Sequence, residues 1–125
     1  MSSVIIADDY AELRSLVAAF LDAYSPVKVI GEAKYGSEAV EMVEQLKPQI
    51  VLMDILMPVM DGLTATRLIK ERHPHVFVIL YSGGDDEENL RKSKEAGADL
   101  YLTKPLDLEK LVIQIKRLLS PASNG

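Results

Sequence analysis

The 125-residue sequence contains no cysteine. Without thiols the chain can form neither a disulfide nor a thiolate metal site, and it has no cysteine nucleophile. It also has no apolar run long enough to cross a bilayer, and no basic segment of the kind that opens a signal peptide. We therefore expect a cytoplasmic protein that makes no contact with a membrane.

A surplus of basic residues is missing as well. The chain has 14 Lys and Arg against 19 Asp and Glu, which gives a formal net charge of −5. Nucleic-acid backbones are bound by basic surfaces, so we expect no direct nucleic-acid contact by this domain. The remaining composition, with 48% hydrophobic and 26% charged residues, is ordinary for a single globular domain of this length.

Short apolar runs alternate with segments whose apolar residues recur at helical spacing. The runs predict five strands, at 4–7, 27–31, 50–54, 76–81 and 99–102. Strands that alternate with amphipathic helices form a parallel sheet covered on both faces. The charge of Lys28 in the middle of the second strand indicates a sheet edge.

Two of the predicted helices differ in the strength of their apolar pattern. The helix after the fourth strand, at 85–96, offers little more than Leu90 and Ala96 to a core, so we expect it to be weakly held. The first helix has a full stripe that we expect to be buried, made of Leu13, Leu16, Val17, Phe20, Leu21 and Tyr24.

The carboxyl ends of parallel strands meet at one edge of the sheet, which is where such folds bind ligands. Four of the predicted strands deliver polar residues to that edge, namely Asp8 and Asp9, Asp54, Ser82 and Lys104. Asp54 ends a run of four apolar residues. A carboxylate at such a position is costly unless a cation meets it.

This set of side chains indicates phosphoryl chemistry. Three carboxylates without His or Cys select Mg²⁺, or Mn²⁺, over zinc. The ammonium of Lys104 and the hydroxyl of Ser82 add a positive charge and a donor, which match the charge of a transferring phosphoryl group. Asp54 can then act as the nucleophile and form an aspartyl phosphate.

From Val4 to Leu119 the chain resembles the receiver domain of two-component response regulators. The residues that carry the resemblance are Asp8-Asp9, Met53-Asp54-Ile55-Leu56-Met57-Pro58, Asp61-Gly62, Ser82-Gly83 and Lys104-Pro105. The resemblance implies an α/β fold of the CheY-like, flavodoxin-like (βα)5 type. In that fold a doubly wound five-stranded parallel sheet has the strand order 2-1-3-4-5.

The resemblance also implies a role for each residue at the strand ends. Asp54 accepts a phosphoryl group from a sensor histidine kinase or a phosphotransfer protein. Asp8, Asp9 and Asp54 hold Mg²⁺ together with the backbone carbonyl of Leu56. Lys104 and Ser82 bind the phosphoryl oxygens, although Ser82 stands where Thr is commoner.

A conformational switch is the further consequence of the resemblance. Ser82 and Tyr101 act as the switch residues, and the face made by the fourth helix, the last strand and the last helix is remodelled. That face engages an output domain, a downstream protein or, on phosphorylation, a second copy. The Lys104-Pro105 peptide is expected to be cis. Such a domain catalyses only its own phosphorylation and dephosphorylation, and is a signalling switch rather than an enzyme.

Three other functions stay open. A Mg²⁺-dependent phosphatase would also use an Asp nucleophile, but Leu56 stands where its general acid is needed. A flavin or nucleotide carrier would need a phosphate cradle, which residues 8–11 lack. A pseudo-receiver that only docks partners would not need the complete acidic set.

We assign residues 1–120 to the receiver domain and 121–125 to a frayed tail or the start of a linker. The chain is expected to be either a single-domain regulator or the N-terminal receiver of a longer one.

Overall fold

Five strands and five helices alternate along residues 2–120, which are the residues that the structure, a computed structural model, describes. The strands are β1 (Ser2–Ala7), β2 (Val27–Ala33), β3 (Ile50–Asp54), β4 (Phe77–Ser82) and β5 (Leu100–Thr103). The helices are α1 (Ala11–Tyr24), α2 (Gly36–Leu46), α3 (Gly62–Arg72), α4 (Asp86–Ala96) and α5 (Leu108–Leu119). The predicted tail at 121–125 lies outside the described residues.

All neighbouring strands pair in parallel, in the order β2-β1-β3-β4-β5. The predicted fold class is therefore confirmed. β3 lies at the centre and all five of its residues are buried. Lys28 lies on β2, an edge strand, as its charge predicts. The strand order reverses between β1 and β3, so their carboxyl ends flank the crevice where folds of this kind bind ligands.

Each face of the sheet has its own hydrophobic core, because side chains alternate along a strand. In β3, Val51 and Met53 pack with buried residues of α2 and α3, whereas Ile50 and Leu52 pack with buried residues of α1 and α5. The central strand is thus fixed from both sides. Asp54 directly follows these four residues, so its position is well defined.

The predicted buried stripe of α1 is wrong in part. Leu16 and Tyr24 are 58% and 69% exposed, and the buried residues of the helix are Arg14, Val17, Ala18 and Leu21. The buried face is rotated around the helix axis towards Arg14 and Ala18. The rotation brings a charged side chain into the interior, where the carboxyl end of β1 supplies its partner.

Helix α2 ends at Lys47, an exposed residue with left-handed backbone angles (φ 49°, ψ 57°). The left-handed conformation costs an L-residue about 1–2 kcal/mol. Glycine avoids that cost but gains about 0.4–1 kcal/mol of chain entropy in the unfolded state. We expect Lys47→Gly to raise the free energy of unfolding by about 0.5–1 kcal/mol in urea titrations. Lys47→Ala keeps the Cβ and should change little; equal effects of the two variants would contradict the explanation.

Candidate functional site

Three carboxylates meet at the carboxyl ends of β1 and β3. Asp8 is fully buried and Asp54 is 3% exposed, while Asp9 is exposed to solvent. One carboxylate oxygen from each residue lies within 4.8 Å of those of the other two. The fold therefore brings together the three acidic residues that the sequence singles out. A group of oxygen ligands at this spacing is chemically suited to a hard divalent cation.

Asp54 has a partner for each of its carboxylate oxygens. Oδ1 accepts a hydrogen bond from the backbone N–H of Leu56 at 3.0 Å, and Oδ2 accepts one from Lys104 Nζ at 2.8 Å. Lys104 follows β5, so its side chain reaches past β4 to meet the end of β3. Asp54 therefore has the cationic partner that a buried carboxylate requires.

The environment of the Asp54–Lys104 ion pair raises the pKa of both residues, which favours the charged form of the lysine and disfavours that of the aspartate. Burial raises the pKa of the Asp54 carboxyl, and the hydrogen bonds from Lys104 and Leu56 only partly oppose it. Desolvation works against the charge of Lys104, yet the hydrogen bond and negative charge of Asp54 outweigh it and raise the pKa of the lysine. Lys104 is thus stabilised as an ammonium ion. The ionised form of Asp54 is only partly compensated for its burial.

The two predicted switch residues lie next to each other on β4 and β5. Ser82 is buried, and its hydroxyl donates to the Gly83 carbonyl over a long 3.3 Å. The Tyr101 hydroxyl contacts the Ser82 carbonyl at 3.3 Å and Asp86 Oδ1 at 3.2 Å. Tyr101 therefore links the end of β4 to the first turn of α4. The Lys104-Pro105 peptide bond beside them is cis.

Three residues hold Asp8 in place, and two of them, Arg14 and Tyr81, were missed by the sequence reasoning. Arg14 Nη1 donates to the Asp8 carbonyl at 2.6 Å, and the guanidinium also pairs with Glu32 at 3.1 Å. The Tyr81 hydroxyl donates to Asp8 Oδ2 at 2.5 Å, and Tyr10 N–H donates to Oδ1 at 2.8 Å. Burial, followed by the bond to Asp8, raises the pKa of Tyr81, so its hydroxyl remains a donor.

A signal for Tyr81 was present in the sequence. A tyrosine at the end of an apolar strand is buried, and a buried tyrosine hydroxyl needs a polar partner. Side-chain alternation also places Tyr81 on the opposite face from Ser82, towards α1 and the end of β1. No comparable pattern marks Arg14, because its burial depends on how α1 is rotated against the sheet.

A close backbone contact positions the loop between β3 and α3. The Gly62 N–H donates to the Ile55 carbonyl at 2.8 Å, and a Cβ on Gly62 would lie 2.3 Å from the Asp54 carbonyl oxygen. Only glycine permits this approach. The Leu56 side chain in the loop points outward and is 69% exposed. The metal-binding role of its carbonyl stays a prediction.

The parallel sheet of order 2-1-3-4-5 with an acidic group at its carboxyl edge defines a class, the CheY-like α/β domains. A family model described as the response regulator receiver domain matches residues 4–116. The chain belongs to this family, whose members are signalling domains of two-component systems.

Similar proteins fit this assignment. The chain is 36% identical over 117 residues to the chemotaxis protein CheY of Halobacterium salinarum, covering 94% of this chain and 96% of that protein. It is 30% identical over 114 residues to the response regulator VraR of Staphylococcus saprophyticus, covering 91% of this chain. It spans only 54% of VraR, about half of that relative's length.

A solved structure agrees with the fold. The response regulator domain of Thermotoga maritima CheB superposes with a TM-score of 0.84 at 30% sequence identity, covering 100% of this chain and 98% of that one. Within residues 2–120, no helix has both the length and the apolar character that crossing a membrane requires.

The raised pKa of Asp54 predicts a pH dependence of stability in EDTA. The ordinary value is 3.8, and the folded state binds this proton more tightly than the unfolded state does. The stability from this group is therefore present below the ordinary value and lost as the pH rises through the raised one. We expect the unfolding free energy of wild type, relative to Asp54→Asn, to fall as the pH rises above 3.8 in urea titrations. Parallel profiles for the two proteins would contradict this assignment.

Proposed function

We propose that this receiver domain is a phosphorylation switch, in which Asp54 accepts a phosphoryl group in a magnesium-dependent reaction. The observation that carries the proposal is the buried Asp54 carboxylate, paired with Lys104 Nζ at 2.8 Å and flanked by Asp8 and Asp9. A nucleophile, an ammonium and further carboxylates in one crevice match what phosphoryl transfer needs.

The donor set supports magnesium as the cofactor. Asp8, Asp9 and Asp54, with the backbone carbonyl of Leu56, would hold Mg²⁺, and Mn²⁺ would suit the same oxygen ligands. The charge of Asp8 contributes to the raised pKa of Asp54, so a cation among these carboxylates would relieve their repulsion. When bound, the metal neutralises charge on the phosphoryl oxygens.

The transfer itself is a substitution at phosphorus. An Asp54 carboxylate oxygen forms the new P–O bond while the bond from phosphorus to the donor breaks, and the leaving group keeps that electron pair. In a kinase or phosphotransfer protein the leaving group is a histidine imidazole. Lys104 moves its hydrogen bond from the carboxylate to a phosphoryl oxygen, and Ser82 turns its hydroxyl from the Gly83 carbonyl to another.

The output of the switch would run through α4. Only Ser93 and Ala96 of this helix are buried, and Ser93 Oγ finds no hydrogen-bond partner among residues 2–120. Such thin packing suits an element that shifts at low cost. A turn of Ser82 towards the phosphoryl group would change the surroundings of Tyr101, which joins Ser82 to Asp86 at the start of α4.

The surface made by α4, β5 and α5 is then the surface that partners read. A sensor histidine kinase or phosphotransfer protein supplies the phosphoryl group, and an output domain or downstream protein receives the signal. A phosphorylation-dependent homodimer on the same surface is a further part of the proposal. We also propose that an output domain exists. Relatives such as VraR, which are about twice as long as this chain, support this proposal.

The phosphorylation site can be tested by intact-protein mass spectrometry with acetyl phosphate. With Mg²⁺ we expect wild type to gain one hydroxylamine-labile phosphoryl group, and EDTA to prevent the gain. Asp54→Asn should not be labelled, because the nucleophile is gone. Asp22→Asn, at an exposed position on α1, is the matched control and should be labelled normally. Labelling of Asp54→Asn would refute the site. The proposal fails if wild type takes up no phosphoryl group and shows no NMR response to beryllofluoride.

The link from Tyr101 to α4 can be tested by hydrogen exchange. Tyr101→Phe removes the hydroxyl bonds to Ser82 and Asp86. A hydrogen bond contributes about 1 kcal/mol, so the amides of α4 should exchange about fivefold faster in the unphosphorylated protein. Tyr24→Phe, which removes the same atom from an exposed ring on α1, should leave them unchanged. Equal exchange in wild type and Tyr101→Phe would remove Tyr101 from the switch.

A further inference from the structure

We propose that Tyr81 is a positioning residue of the metal site, whose hydroxyl holds the Asp8 carboxylate in the orientation that binds the divalent cation. This inference rests on the proposed function, because it concerns the magnesium site of the phosphorylation reaction. It gives a specific role to a residue that the sequence offers only as the last member of an apolar strand.

The Asp8 carboxylate is held from both sides. Tyr81 is fully buried on β4, and its hydroxyl donates to Oδ2 at 2.5 Å. The backbone N–H of Tyr10 donates to Oδ1 at 2.8 Å. Two opposed donors fix the plane of the carboxylate. Each oxygen retains a second lone pair, so neither bond prevents the same carboxylate from serving a cation.

Tyr81 also touches the other members of the site. Its backbone carbonyl accepts the N–H of Ile55, the residue directly after Asp54, at 3.0 Å. The ammonium of Lys104 lies 5.5 Å from the centre of the Tyr81 ring, within the range of a cation–π contact. One residue thus sets the relative positions of the Asp8 carboxylate, the chain after Asp54 and the Lys104 ammonium.

The hydroxyl is the part of Tyr81 that packing does not require. The ring fills the core between the sheet and the helices α1 and α5, a role that phenylalanine would fill equally well. The oxygen instead donates into a group of three carboxylates. Hydrogen bonds that orient a metal ligand are typically worth a factor of about 10–100 in metal affinity. The geometry therefore assigns the hydroxyl to the metal site rather than to the core.

The decisive variant is Tyr81→Phe, with Tyr24→Phe as the matched control at an exposed position. Calorimetric titration with Mg²⁺, in the absence of any phosphodonor, should give a dissociation constant raised about tenfold for Tyr81→Phe and unchanged for Tyr24→Phe. Urea titration in EDTA reports stability separately. A lower urea midpoint with unchanged Mg²⁺ affinity would make Tyr81 merely structural. Tighter binding would mean that its hydroxyl competes with the cation. Either result overturns the proposal.

A measurement on wild type covers the case in which Tyr81→Phe does not fold. The buried hydroxyl proton of Tyr81 should give a slowly exchanging NMR signal, and that signal should persist when Mg²⁺ is added. Its loss on addition of Mg²⁺ would overturn the positioning role. Wild type that binds no Mg²⁺ overturns the proposed metal dependence as well. Wild type that binds Mg²⁺ and is phosphorylated, with an equal affinity in Tyr81→Phe, overturns this inference alone.

Discussion

The burial of the Asp54 charge is the constraint on which the rest of the structure depends. The central strand β3 carries this carboxylate into the interior, where a charge is costly unless it is paired. One ammonium, from Lys104, and one backbone N–H, from Leu56, meet it. They do not restore its ordinary pKa, because desolvation and the nearby charge of Asp8 work against them. The domain is thus built around a carboxylate whose negative charge is incompletely balanced, and a divalent cation bound among the carboxylates would balance it.

Holding such a group requires a rigid frame, and the frame is visible in the packing. Both faces of β3 are covered, and the backbone of Gly62 packs closely against the Asp54 carbonyl. Asp8 receives three donors, from Tyr10, Arg14 and Tyr81. By contrast α4, beside Ser82 and Tyr101, buries little and leaves the Ser93 hydroxyl without a partner among residues 2–120. The region around Asp8 and Asp54, which holds the buried charges, is tightly packed. Helix α4, which we propose to move, is loosely packed.

The sequence was sufficient for the features that depend on local pattern. Strand and helix periodicity predicted the sheet, and strand ends predicted that Asp8, Asp9 and Asp54 would meet, because the topology of a parallel sheet decides this without side-chain detail. It was insufficient where tertiary packing decides. The rotation of α1 exposes Leu16 and buries Arg14, and that rotation depends on contacts with residues distant in the chain. The partner of the Tyr81 hydroxyl, 73 residues away along the chain, is of the same kind.

The end of β4 lies between the acidic group, formed by Asp8, Asp9 and Asp54, and the side chain of Tyr101. Tyr81 and Ser82 are consecutive, so their side chains point to opposite faces of the sheet. Tyr81 reaches Asp8 and the acidic group, while Ser82 lies beside Tyr101, which is bonded to the first turn of α4. β4 is buried along nearly its whole length, and closely packed interiors transmit strain. A shift of Tyr81 caused by metal binding or phosphorylation would therefore be transmitted to Tyr101 through the peptide unit that joins Tyr81 to Ser82. A Tyr81 hydroxyl that orients the metal ligand would at the same time limit how far Ser82 can move, and the two roles are joined by the backbone between them.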